Sequence, residues 1–82
     1  MKLSQLRKGE KALIVNIHAD KALKDRLASF GILRGEEVEV KGCSVGKQTI
    51  EVDVDGTLIA LRAEEADKIE VEKLEEARIA KT

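Results

Sequence analysis

The chain has 82 residues, the size of one small domain, and its charges nearly cancel, with 15 basic and 16 acidic side chains. A module that binds duplex nucleic acid usually carries a basic excess, so we expect no nucleic-acid partner. The single cysteine cannot form an intramolecular disulfide, and neither a signal segment nor a run of about 20 apolar residues is present. We therefore expect a reduced, cytoplasmic protein that is not inserted in a membrane.

The chain begins with a predicted turn and a strand. Leu3 and Leu6 lie three residues apart before Gly9, which suits a short turn whose leucines cap one end of a core. Residues 12–17 are rich in aliphatic and β-branched side chains and predict a strand that is buried on most of its faces.

A helix is predicted over residues 20–30. Asp20 suits an N-cap, because its carboxylate can accept a hydrogen bond from a backbone N–H of the first turn. Apolar side chains recur at helical spacing on one stripe, at Leu23, Leu27 and Phe30. Gly31 is expected to end the helix, since glycine tolerates positive φ, and Ile32 to fold back onto it. Phe30 is the only aromatic residue, and its phase predicts a core position, so no aromatic-lined peptide groove is expected.

Four further segments predict strands, at residues 37–41, 50–54, 58–61 and 69–71. Asp55-Gly56 is a strong signal for a tight hairpin turn, and residues 63–67 suit one helical turn. About five short strands with one inserted helix predict a mainly β fold, closed as a small barrel. The domain is expected to span residues 1–71, followed by a charged tail at 72–82 that is helical or disordered.

Catalytic chemistry is poorly represented. A nucleophile needs a base within reach and a group that orients the base, but the one histidine, His18, and the one cysteine, Cys43, have no evident third member. We expect no enzyme and no catalytic residues. His18 and Cys43 are also the candidate metal ligands, although paired ligands at fixed spacing are absent, and the alternatives are a solvated histidine and a loop thiol. No cofactor is expected to be required, and weak binding of Fe(II) or another divalent transition metal stays open.

Three segments resemble one known family. Residues 3–10 read LSQLRKGE, residues 26–40 read RLASFGILRGEEVEV, and residues 56–71 read GTLIALRAEEADKIEV. The middle segment resembles the signature R-L-x-x-[LF]-G-[IL]-x-x-G-x-x-[IV]-x-V of the ferrous iron transport protein A (FeoA) family. The resemblance implies an SH3-like barrel with an inserted helix. It also implies an accessory or regulatory role in ferrous iron uptake, beside the cytoplasmic GTPase part of the membrane transporter FeoB.

The helix is the predicted contact surface for that partner. Its candidate residues are Lys21, Lys24, Arg26 and Leu27, whose basic members would meet an acidic patch. Arg26 has two interpretations, an arginine finger supplied to the GTPase or an ion pair that holds the helix on the barrel, and the ion pair is favoured. The alternative function is a free-standing metal-sensing module, because the resemblance extends to the C-terminal domain of iron-dependent repressors. The oligomeric state is left open.

Overall fold

The computed structural model describes residues 1–74, and of Lys47 the backbone alone. Five strands and two helices follow one another: β1 (Lys11–Ile17), α1 (Lys21–Ser29), β2 (Glu37–Cys43), β3 (Thr49–Val54), β4 (Thr57–Arg62), α2 (Ala63–Ala66) and β5 (Ile69–Lys73). Short 3₁₀ turns lie at Leu3–Gln5 and Val45–Lys47. The mainly β fold with one inserted helix is therefore confirmed.

All five strands pair antiparallel in one sheet, in the order β4-β3-β2-β1-β5. The sheet curls around a core of aliphatic side chains that come from the N-terminal turn, from α1 and from all five strands. The side chains that are almost completely buried include Leu3, Ile14, Leu27, Val38, Val52, Leu61 and Ile69. Alternation along each strand produces this core, because every second residue points to the same face of the sheet.

The two ends of the sheet differ. The outer edge of β5 is covered by the N-terminus, where the Val71 N–H donates to the Met1 carbonyl at 2.7 Å and Lys2 bridges to Glu70. The outer edge of β4 pairs with no strand in residues 1–74. The expected closure of the barrel is thus incomplete along this edge, because α2 turns the chain away from β4 before β5 begins.

Local signals set both ends of α1 as expected. The Asp20 Oδ1 atom accepts a hydrogen bond from the Leu23 N–H at 2.9 Å, which caps the first turn. Gly31 has a φ of +90°, and the Ile32 N–H donates to the Leu27 carbonyl at 3.0 Å. This pattern is a glycine-terminated C-cap, and it returns the buried Ile32 to the core.

The structure corrects the prediction for Phe30. Its side chain is 41% exposed, whereas Leu27 is completely buried and Leu23 is partly buried. Phe30 is the C-cap residue of α1, and the chain reverses directly after it at Gly31. Ile32, two residues further on, is buried in the core, whereas Phe30 is not.

The strands run slightly further than their sequence patterns indicate. Cys43 is the last residue of β2 and pairs with Ile50, so it does not lie in the loop where it was expected. Strand β5 reaches Lys73, and the following Leu74 N–H donates to the Lys11 carbonyl at 2.9 Å. Residues 72 and 73 of the expected tail thus belong to a strand, and the prediction for residues 75–82 lies outside the described residues.

Candidate partner-binding surface

Helix α1 packs on the barrel through the buried Leu27 and the partly buried Leu23, and one ion pair joins it to α2. Leu27 is the buried residue of the helix, and the Arg26 Nη1 atom lies 2.8 Å from the Glu65 Oε2 atom. Glu65 is 7% exposed and also accepts the Arg62 N–H through Oε1 at 3.0 Å. One carboxylate thus joins α1 to the start of α2, and the ion pair expected for Arg26 is present.

Two lysines lie on the solvent side of α1. Lys21 pairs with Asp25 one turn along the helix at 2.8 Å, and both side chains are largely exposed. Exposed pairs of this kind contribute little and exchange readily with water, so Lys21 is accessible to a partner. Lys24 is exposed and forms no ion pair within residues 1–74.

Leu27 does not fit the predicted partner-binding set. It has no exposed surface, so it cannot touch a partner unless α1 leaves the barrel. Exposed apolar area lies instead just beyond the helix, where Phe30 is 41% and Leu33 is 48% exposed. Sequence reasoning missed both side chains, since the apolar stripe assigned Phe30 to the core. We call Lys21, Lys24, Arg26, Phe30 and Leu33 the helix surface.

The two candidate metal ligands lie at opposite ends of the β1–β2 pair. His18 follows β1, and its Nε2 atom lies 2.7 Å from the Glu70 Oε1 atom of β5. Cys43 is exposed at the far end of β2, in a shallow pocket that also includes Leu6 and Arg7. One chain therefore cannot bring His18 and Cys43 to the same ion.

His18 and Glu70 bring one imidazole nitrogen and one carboxylate oxygen, two common kinds of metal ligand, into direct contact. The hydrogen bond from His18 holds the pKa of Glu70 below its ordinary value of 4.5, and the nearby N-terminal amine acts in the same direction. No group of three or more histidine, cysteine, aspartate or glutamate side chains suited to a metal ion occurs among the described residues.

Acidic side chains collect on the outer face of the sheet. They line a shallow groove together with Lys11: Glu36, Glu37, Glu39, Asp53 and Asp55. The pairing of β2 with β3, which sets Glu39 opposite Asp53, brings these carboxylates together from separate parts of the chain. Nearby, a hydrogen bond from Lys73 to Glu10, together with the Arg7 N–H, lowers the pKa of the Glu10 carboxyl.

Within residues 1–74, no helix is long and apolar enough to cross a membrane.

Comparison with known proteins supplies the context for these surfaces. The family model described as the FeoA domain matches residues 1–73. The chain belongs to the FeoA family. A Campylobacter jejuni protein is 42% identical over 71 residues and is described as a putative Fe(2+) transport protein A. These residues cover 87% of this chain and 96% of that protein. A Porphyromonas gingivalis protein, described as a fusion of Fe(2+) transport protein A with the Fe(2+) transporter FeoB, is 31% identical over 72 residues. These residues cover 88% of this chain and 8% of the fusion.

Solved structures agree with the fold. The Stenotrophomonas maltophilia FeoA complexed with zinc, described as a procaryotic SH3 domain protein, matches with a TM-score of 0.76 at 34% identity, covering 88% of this chain and 89% of that one. A manganese-dependent transcriptional repressor in complex with manganese matches with a TM-score of 0.83 at 26% identity, covering 90% of this chain and 36% of the repressor. The fold of this chain is therefore the SH3-like FeoA barrel, as the sequence resemblance implied.

Proposed function

We propose that this protein is an accessory or regulator of ferrous iron uptake that binds the cytoplasmic GTPase part of a FeoB-type transporter. The observation that carries the proposal is the Porphyromonas gingivalis fusion, in which a segment similar to this chain and the transporter FeoB form one polypeptide. Covalent fusion keeps two partners at high effective concentration, which is useful when they act together.

The helix surface is the proposed contact. Aromatic side chains and arginine are enriched at the centres of interfaces and lysine is depleted there, so the exposed Phe30 is the central contact and Lys21 and Lys24 suit the rim. A partner that covers Phe30 and Leu33 buries apolar area, while Lys24 meets a carboxylate at the rim. The partner patch should therefore be apolar at its centre and acidic at its border.

Arg26 is proposed to act on the helix and not on the nucleotide. Its guanidinium group already contacts Glu65, and an arginine finger would have to leave this carboxylate and expose its buried oxygen. We propose a non-catalytic cytoplasmic protein without a required cofactor and without a nucleic-acid partner. Any effect on GTP hydrolysis then comes from positioning residues of the transporter itself.

A second candidate function is metal sensing. Two observations favour it: the similarity to a manganese-dependent repressor, and the contact between His18 and Glu70, which suits a borderline divalent ion. Two ligands with open solvent around them bind such an ion weakly, so iron or a related metal would be an occasional ligand and not a resident one. Titration of Fe(II) under anaerobic conditions, with His18→Ala as the comparison, tests this function separately.

Calorimetry tests the main proposal. The protein is titrated into the cytoplasmic domain of its own transporter, without nucleotide, with GDP and with a GTP analogue. We expect binding whose affinity depends on the nucleotide and falls at least tenfold in Lys24→Glu. Lys8→Glu is the matched control, because Lys8 is exposed and lies outside the helix surface. Absence of binding in every nucleotide state, with the full-length transporter also negative, would reject the proposal.

A further inference from the structure

Along the outer edge of β4, backbone N–H and C=O groups form no hydrogen bonds with another strand of the described chain. Val54 pairs with Thr57 across the two-residue turn, so the alternation of an antiparallel ladder directs the N–H and C=O groups of Thr57, Ile59 and Leu61 to β3. The same groups of Leu58 and Ala60 point to the opposite side, where residues 1–74 supply no backbone partner. This edge is a preformed template for one more strand.

Most of this edge lacks the usual devices that prevent strand addition. Natural proteins protect free edges with lysine, proline, bulges or a covering segment. The charged residue of β4 is Arg62 at its C-terminal end, residues 57–61 contain no charged residue and no proline, and β3 and β4 pair without a bulge over six residue pairs. Leu58 is 59% exposed, and its side chain lies on the outer face of the sheet. By contrast, Met1 and Lys2 cover the edge of β5.

We propose that a second copy of this chain occupies the edge, with the two β4 strands antiparallel about a two-fold axis at Ala60. This register sets Ala60 opposite Ala60 of the second copy and Leu58 opposite Arg62 of the second copy. Four backbone hydrogen bonds form, two between the Ala60 pair and one from each Leu58 N–H to the Arg62 carbonyl of the other copy. That carbonyl also accepts the first hydrogen bond of α2, because Arg62 is the N-cap of the helix, so it accepts the Leu58 N–H through its second lone pair. The Arg62 N–H is not required, since it already donates to Glu65.

Charge and size favour this self-pairing. Two small uncharged residues meet at the axis, so no like charges oppose each other there. The Arg62 side chain of one copy extends over Leu58 of the other copy. It then reaches toward Asp53 of that other copy, because Asp53 on β3 pairs with Leu58 on β4. Arg62 is free to do so, because it is largely exposed and its nearest carboxylate, Glu64, is 3.8 Å away. An interface of this kind is isologous, which is the commonest symmetry of homodimers.

Cysteine cross-linking of the full chain reads the register directly. In a Cys43→Ser background, we expect Ala60→Cys to form a disulfide-linked dimer under mild oxidation, because opposite residues on paired strands lie about 4.5–5.5 Å apart. Leu58→Cys should not cross-link to itself, since the two copies of Leu58 lie four residues apart along the paired strands. Val45→Cys, at a position that is 99% exposed, controls for random collision. Cross-linking of Ala60→Cys no faster than that of Val45→Cys would overturn the proposal.

Sedimentation equilibrium of variants that carry the native Cys43 supplies the second test. We expect a reversible dimer of twice the 9.0 kDa chain mass. Leu58→Lys should weaken it at least tenfold, because the new charge faces Arg62 of the other copy, while Leu58→Glu should preserve it. Val45→Lys is the matched control for added charge. Equal effects of Leu58→Lys and Leu58→Glu, or a monomer at every concentration, would contradict the assigned pairing. Both tests use this protein alone, so their outcome is independent of the proposed function.

Discussion

Replacing Glu65 by alanine should destabilise the protein more than any other single change at the surface of α1 and α2. The carboxylate is 7% exposed, accepts the Arg62 N–H at 3.0 Å and contacts the Arg26 guanidinium at 2.8 Å. Both contacts are lost together in Glu65→Ala. The change removes the ion pair that joins α1 to α2 and the hydrogen bond that caps the start of α2.

The expected loss of folding stability in Glu65→Ala is the sum of the contributions of its two contacts. The Arg26 side chain is 53% exposed, so its ion pair should contribute about 1 kcal/mol, the upper end for a surface pair. The hydrogen bond to the Arg62 N–H resembles a helix cap and adds about 1 kcal/mol. A domain of this length has a total stability of about 4–12 kcal/mol. A loss of about 2 kcal/mol therefore lowers the melting temperature by about 8–16 °C.

Urea unfolding followed by far-ultraviolet circular dichroism measures this cost, because the chain has no tryptophan and no tyrosine for fluorescence. A double-mutant cycle of Arg26→Ala and Glu65→Ala should give a coupling energy of about 1 kcal/mol. Lys24→Ala on the same helix is the control, with an expected effect within about 0.5 kcal/mol. A coupling energy of zero, with Arg26→Ala no more costly than Lys24→Ala, would refute the role assigned to the ion pair.

Three further predictions concern the core, the helix end and the pH dependence. Leu27→Ala should cost about 2–5 kcal/mol in the same urea assay, because the side chain is completely buried; a cost below 1 kcal/mol would contradict this. Gly31→Ala should lower the free energy of unfolding by about 1–2 kcal/mol, because residue 31 has a φ of +90°, which alanine adopts only with strain. The added Cβ would lie 3.9 Å from Val54, an ordinary contact distance, so no steric clash adds to this cost. An unchanged urea midpoint would contradict the prediction. The lowered pKa of Glu70 means that its contribution to stability is complete above pH 4.5 and is lost as the pH falls through the folded-state value. His18→Ala should move the pKa of Glu70 up toward 4.5 in a carboxyl-detected NMR titration, and no upward movement would show that His18 does not lower it.

Sequence-based prediction succeeded where a few neighbouring residues set the conformation. Asp20 caps α1 through a residue three positions away, and Gly31 ends it by its own backbone preference. The turn at Asp55-Gly56 likewise follows from two residues that both adopt positive φ, 52° and 83°. Such features need no knowledge of the rest of the fold.

The features that sequence reasoning missed depend on contacts between distant segments. The periodicity of α1 could not show that Phe30 stays exposed, because that depends on how the chain reverses after the helix. The buried place of Leu27, by contrast, follows from the apolar stripe of the helix, and this stripe already conflicted with its inclusion among the predicted contact residues. Glu39 and Asp53 belong to one acidic groove because β2 pairs with β3 in a particular register.

Chemical-shift mapping of the isotope-labelled protein against the unlabelled cytoplasmic domain of its transporter tests the proposed function most directly. We predict that the backbone amide signals that move are concentrated in residues 21–34, which hold the helix surface. Phe30→Ser should weaken the binding at least tenfold, while Val45→Ser, at an exposed apolar position outside that surface, should leave it unchanged. Shifts confined to the acidic groove at residues 36–39 and 53–55, or no shifts in any nucleotide state, would contradict the proposed function or its assigned surface.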